Sequence, residues 1–167
     1  MARDDWISAS EATGVPMGGK LPKHVSAATP TFALWAIRDP LSGNLDRLQI
    51  IKGWIAADGG SREKIFNVAW SGDRTLDATG ELPAVGNTVD VANASYRNNI
   101  GAEQLSVVWT DFEFDPTVEA FYYARVIEIP TPRWSTYDAK TLGITAPEPA
   151  TLQERAVTSA IWYHPDN

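Results

Sequence analysis

The sequence predicts a mainly β protein, an antiparallel β-sandwich or open barrel of about six to seven strands with little helix and long loops. Two observations predict this fold class. Short runs rich in β-branched and aromatic residues recur along the chain, and clusters of Gly, Pro, Asn and Asp separate them. An Asp-Gly pair between two such runs, at 58–59, is typical of a tight hairpin.

Composition limits the classes of protein to consider. A chain of 167 residues suits one domain. Its hydrophobic fraction, 44%, is higher than that of intrinsically disordered chains. We expect an irregular lead-in at 1–30 packing on a single β-sandwich-like domain at 31–167. A net charge of -7 argues against nucleic-acid binding. The absence of cysteine excludes disulfides and thiolate zinc sites.

No stretch of this chain has the length and apolarity of a membrane-spanning helix, and no signal-peptide core is present. We therefore expect no membrane insertion. The cellular location stays undetermined by these residues.

The first half of the chain contains three predicted strands. A glycine- and proline-rich stretch at 14–22 interrupts regular structure, and the run at 31–38 then predicts a buried strand that ends at Asp39-Pro40. The runs at 45–55 and 61–70 predict a hairpin around Asp58-Gly59-Gly60. The alternation in 45–55 is imperfect, which indicates a strand covered on both faces for part of its length.

The second half adds shorter elements after a loop at 71–87. Alternation predicts strands at 88–96 and 103–110, and most clearly at 121–129, where Pro130 and Pro132 follow. The residues 159–163 predict a short last strand. A helical turn is possible at 152–156.

Histidines and acidic residues give little support for a metal site or any other cofactor. His24 and His164 are isolated, with no ligand spacing around them, and we expect both to be exposed. The segment 111–116 alternates carboxylates with Phe. This pattern suits either a weak calcium loop or an edge with acids outward and Phe inward.

The unusual feature of the composition is its seven tryptophans. Five lie on predicted strands, where we expect them in the core: Trp35, Trp54, Trp70, Trp109 and Trp162. Arg133 and Trp134 follow the clearest strand and are the candidate ligand-binding residues. An Arg fork beside an indole plate suits an anion or a sugar. Alternatively, Trp134 plugs the end of the sandwich while Arg133 pairs with an acid.

The run 128–138 (Glu-Ile-Pro-Thr-Pro-Arg-Trp-Ser-Thr-Tyr-Asp) resembles the signature of a bacterial family, domain of unknown function family 3604 (DUF3604). Four further stretches are similar to that family, in order along the chain: 14–19, 47–54, 107–111 leading to 121–126, and 153–156 with 161–163. The resemblance covers the C-terminal portion of a typical member.

Full-length members of this family resemble metal-dependent hydrolases of the polymerase-and-histidinol-phosphatase (PHP) type, whose metal ligands lie in an N-terminal barrel. The resemblance implies that this chain lacks that barrel and carries no catalytic residue. It implies a non-catalytic accessory β module, in a protein of a kind that often looks exported to the periplasm. A strand missing from its own sheet would leave an unpaired edge, and we expect a homo-oligomer to form through that edge. The alternative is a stand-alone carbohydrate- or anion-binding β-sandwich module.

Overall fold

A computed structural model describes residues 6–22 and 29–165 of the chain. His24 lies outside the described residues. Within them the chain forms two helices and nine strands: α1 (Trp6–Thr13), β1 (Thr31–Ile37), β2 (Leu45–Ile55), β3 (Ser61–Trp70), β4 (Gln104–Thr110), β5 (Ala120–Glu128), β6 (Thr131–Pro132), α2 (Trp134–Leu142), β7 (Thr151–Leu152), β8 (Arg155–Val157) and β9 (Ile161–Tyr163).

The main sheet is antiparallel and has the order β3-β2-β5-β8, with β9 pairing beside β8 along the same edge of β5. The predicted hairpin of β2 and β3 is confirmed. Its turn closes through the Ala56 N–H, which donates to the Gly60 carbonyl at 2.9 Å. Gly59 there has φ 79°, a conformation that favours glycine. The turn therefore sets the register of the two longest strands.

A smaller sheet of β1 and β4 lies over one face of the main sheet. Apolar side chains from both sheets form the core between them, including Phe32, Ile50 and Tyr122 in one cluster and Leu48 and Leu105 in another. The described strands form no closed barrel. The predicted mainly β, sandwich-like fold is confirmed.

Strand β2 is covered on both faces, as its imperfect alternation predicted. Ile50 faces the smaller sheet, whereas its neighbours Gln49, Ile51 and Gly53 are buried on the opposite face. Strand β1 differs from the prediction of a buried strand. Its burial alternates, because only one face of the β1–β4 sheet packs on the core.

Several predicted elements are wrong. The segment 88–96 is a loop with a single bridge between Asp90 and Ser95, since none of the described strands pairs with it. The residues 152–156 form parts of β7 and β8 instead of a helical turn. The strands β6, β7 and β8 have two or three residues each, too few to show a period in the sequence, and they bring the number of strands above seven.

Part of the lead-in lies beside the last strand. The Gly18 N–H donates to the Ala160 carbonyl at 3.1 Å, and the Leu21 N–H donates to the Trp162 carbonyl at 2.8 Å. A parallel bridge joins Lys20 to Trp162. Residues 18–21 therefore extend the main sheet beyond β9. Neither helix in the described ranges has the length and apolarity to cross a membrane.

Candidate binding groove

A concave site of about 370 Å³ lies on the main sheet at the end where the β2–β3 hairpin turns. We call it the end groove and define it by its aromatic and titratable side chains: Trp54, Arg62, Glu63, Glu119, Phe121, Trp162 and His164. They come from β2, β3, β5 and β9 and from the residues next to β5 and β9. Four neighbouring strands therefore build one site.

One cross-strand row forms the floor of the end groove. In the register of the sheet Glu63 lies opposite Gly53, Gly53 opposite Phe121, and Phe121 opposite Trp162. Cross-strand partners lie on the same face of a sheet, so this row carries a carboxylate at one end and two aromatic rings at the other.

Gly53 is necessary for the position of the Phe121 ring. A Cβ atom at residue 53 would lie 2.2 Å from Cζ of Phe121, so the ring lies directly over the glycine. Phe121 stacks on Tyr123 with ring centroids 6.4 Å apart, and its centroid is 5.3 Å from that of Trp162 at an interplanar angle of 47°. Trp162 is 44% exposed. Two inclined rings therefore meet beside the opening.

The titratable groups that line the end groove are the carboxylates of Glu63 and Glu119, the Arg62 guanidinium and the His164 imidazole. His164 Nδ1 lies 3.0 Å from Glu119 Oε1. The Arg62 guanidinium forms an ion pair with the Asp58 carboxylate, with Nη2 and Oδ2 2.6 Å apart. Glu63 is exposed and has no ion-pair partner among the residues that the structure describes. The groove thus combines aromatic surface with carboxylates.

A second, smaller cavity of about 160 Å³ borders a buried polar cluster and shares Trp54 with the end groove. Lys52 Nζ lies 2.6 Å from Asp111 Oδ2, and the Tyr122 hydroxyl donates to the same oxygen at 2.7 Å. The Glu113 N–H donates to Asp111 Oδ1 at 3.0 Å. Asp111 directly follows β4, so this cluster ties the smaller sheet to the main one.

The polar cluster affects the titration of Tyr122. Burial raises the pKa of Tyr122 above its ordinary value, and the hydrogen bond to the Asp111 carboxylate raises it further. The phenol stays protonated as a donor. All three side chains are occupied by one another, so the cluster's chemical role is to hold two sheets together.

The structure corrects the predictions for the segment 111–116. Asp111 is fully buried, and Phe112, which we expected inward, is 89% exposed. The reason is the partner on β2, since Lys52 offers a buried cation to the carboxylate. No group of three His, Cys, Asp or Glu residues within the described ranges is placed to hold a metal ion.

Arg133 and Trp134 lie at the start of α2, outside both cavities. Trp134 is 67% exposed, so the interpretation that it plugs the sandwich is wrong. The Arg133 guanidinium carbon lies 5.9 Å from the Trp134 ring centroid. Arg133 makes no ion pair with an acid of the described part. The two predicted ligand-binding residues are therefore adjacent and accessible.

The five strand tryptophans divide into two groups. Trp54, Trp70 and Trp109 are half-buried, whereas Trp35 and Trp162 are exposed, contrary to the prediction of core positions. Each exposed indole lies on a strand that alternates, and its neighbours face inward. The sequence analysis does not predict the end groove, because it places Trp162 in the core. The alternation of 161–163 was the only available signal, and it does not say which face is buried.

The fold defines the class of this chain as a mainly β, sandwich-like protein. Its sequence matches the family described as "Protein of unknown function (DUF3604)" over residues 1–165, and the chain belongs to that family. The comparisons with curated proteins and with solved structures found no match.

Proposed function

We propose that this chain is a non-catalytic C-terminal β module of a PHP-like metal-dependent hydrolase, whose metal-binding N-terminal barrel lies outside this chain. Membership of the DUF3604 family and the resemblance of its longer members to PHP proteins support the proposal. In such a protein the module would pack against the barrel and complete its fold.

The observation that carries the proposal is an apolar outer face on the β1–β4 sheet. Trp35, Ile37 and Val108 are each more than half exposed there. Ala33 lies opposite Val108 in the register and is also exposed. Gln104 and Ser106 lie on the same face, opposite Ile37 and Trp35. Exposed apolar side chains bordered by polar ones are typical of a surface that another protein domain covers. We assign it to the barrel.

The test compares this chain with a longer DUF3604 protein that contains it. Both are assayed for metal-dependent hydrolysis of a chromogenic phosphoester. We expect turnover only from the longer protein. Independent turnover by this chain would contradict a non-catalytic role.

A pair of variants in the longer protein tests the docking face. Trp35→Lys places a charge on the proposed interface, and we expect it to loosen the two domains and increase limited proteolysis between them. Trp134→Lys makes the same change at an exposed tryptophan on α2 and serves as the matched control. Equal proteolysis of the two variants would argue against docking through the β1–β4 face.

A second candidate function is a stand-alone carbohydrate- or anion-binding module. The observation that favours it is the exposed Trp134 indole with the Arg133 guanidinium beside it, an arrangement suited to stacking and to planar hydrogen bonding. An array of glycans and phosphoesters tests it with the wild type, Trp134→Ala and the control Trp35→Ala. Loss of signal in Trp134→Ala alone would support it, whereas identical binding by all three would reject it.

Self-association is a further proposal, and it rests on the open edge of the main sheet. β3 has β2 on one side and no strand on its other side among the described strands. The exposed charged residues Arg62, Glu63 and Lys64 lie on this strand. Charged side chains on an edge strand disfavour its pairing with a second copy, so we expect a homo-oligomer formed through this edge to be weak and to appear only at high protein concentration. Sedimentation velocity at several protein concentrations measures this.

A further inference from the structure

We propose that the end groove binds a small organic cation that carries a substituted ammonium group. This inference does not depend on whether the chain is an accessory module, and it concerns a different surface from Arg133 and Trp134.

The aromatic rings of the groove fit a compact cation. Phe121 and Trp162 meet at 47° with centroids 5.3 Å apart, so their faces form a corner instead of a flat platform. A sugar stacks along one ring plane, whereas an ammonium group with its alkyl substituents contacts two inclined faces at once. The electron-rich faces of such rings attract cations, as in sites for quaternary ammonium ligands.

The charge of the groove selects the same ligand class. Glu63, opposite Gly53 in the register, and Glu119, two residues before Phe121, contribute carboxylates to the groove. Arg62 also lines the groove but forms an ion pair with Asp58 at 2.6 Å, and Glu119 lies 3.0 Å from His164. Glu63 is therefore the groove carboxylate without an ion-pair partner among the described residues. An anion would meet these carboxylates, and a cation is attracted by them. The net charge of the chain, -7, favours the approach of a cation further.

The size of the groove suits a small molecule. Its volume of about 370 Å³ falls within the range of ligand sites, near the lower end. Its floor at Gly53 carries no side chain, and Phe121 occupies the space above that residue. The ring position is therefore fixed before a ligand arrives, which reduces the entropy lost on binding.

Isothermal titration calorimetry with choline chloride at constant ionic strength tests the proposal. The matched ligand is the uncharged isostere of choline, in which a tert-butyl group replaces the trimethylammonium group. We expect saturable binding of choline and much weaker binding of the isostere. No saturable binding of choline, or equal binding of the two compounds, would overturn the proposal.

Variants locate the site. Trp162→Ala is expected to weaken choline binding by about 3- to 30-fold, the range of a cation–π contact. Glu63→Gln, an exposed change that keeps the side-chain shape, is expected to weaken it by about 2- to 5-fold. Trp134→Ala is the control and should bind as the wild type does. Unchanged binding in Glu63→Gln and Trp162→Ala, or loss in Trp134→Ala, would refute the end groove as the site.

Discussion

Removal of the Lys52 amine should destabilise the protein far more than removal of the neighbouring Lys64 amine. The two lysines are cross-strand partners on β2 and β3, and each forms an ion pair at 2.6 Å. Lys52 pairs with the fully buried Asp111, whereas Lys64 pairs with Glu113 where the side chains are 45% and 57% exposed. The substitution Met is the same in both variants, so the main difference between them is the burial of the ion pair.

The expected magnitudes follow from what each variant leaves behind. Lys52→Met leaves the Asp111 carboxylate buried with two remaining donors, the Tyr122 hydroxyl and the Glu113 N–H. Breaking a buried pair costs about 3–5 kcal/mol, and the two donors place this case near the lower value. Lys64→Met breaks an exposed pair, which costs less than about 1 kcal/mol.

Equilibrium urea unfolding of the wild type and both variants measures the difference. We expect the Lys52→Met loss to exceed the Lys64→Met loss by about 2 kcal/mol. Adding Asp111→Asn to Lys52→Met removes the buried charge and should recover part of the loss. Equal losses in the two single variants would refute the reasoning that burial of Asp111 makes this pair important.

Three other predictions concern single residues. Because the pKa of Tyr122 is raised in the folded protein, the phenol ionises first in the unfolded state, near its ordinary pKa of 10.0. The contribution of Tyr122 to the free energy of unfolding is therefore fully present below about pH 10 and is lost as the pH rises above it. Urea unfolding at several pH values should show a shallower fall in Tyr122→Phe. Gly53→Ala displaces the Phe121 ring and should cost about 1–3 kcal/mol by thermal unfolding, and Phe121→Leu in that background should restore stability. Arg74→Met removes the guanidinium 2.7 Å from the buried Asp46 carboxylate and should cost about 3 kcal/mol, with faster hydrogen exchange in the loop 71–83; exchange at the wild-type rate would contradict this role.

The parts of the fold predicted from sequence are those with local signals. The β2–β3 hairpin follows from the turn at Asp58 and Gly59. Gly59 has a positive φ, which only a few residue types adopt readily. Strand β5 follows from its own alternation and the prolines after it. Neither prediction requires knowledge of a distant residue.

The parts missed depend on distant or absent partners. Asp111 lies inward because Lys52, far away along the chain, is buried opposite it. The segment 88–96 alternates like a strand, yet no strand within 6–22 or 29–165 pairs with it, and Ala94 there has φ 44°. Helix α2 has no side-chain N-cap, and its clearest local signal is Gly143 in the left-handed conformation at its C-terminus.

The candidate site shows the same division. Arg133 and Trp134 could be singled out because they are adjacent in the sequence. The end groove joins Glu63, Phe121 and Trp162 through the register of four strands. Register depends on which strands become neighbours, and the pattern of each strand alone does not reveal that order.

The pairing of residues 18–21 with β9 has a consequence for folding. These segments lie near opposite limits of the described chain, yet they hydrogen-bond at the same edge of the main sheet. Closing so long a loop costs more entropy than forming a hairpin, and contacts distant along the chain form slowly. During synthesis the Phe121–Trp162 corner cannot assemble until residue 162 has left the ribosome. The end groove therefore forms later than the β2–β3 hairpin, whose second strand ends at Trp70.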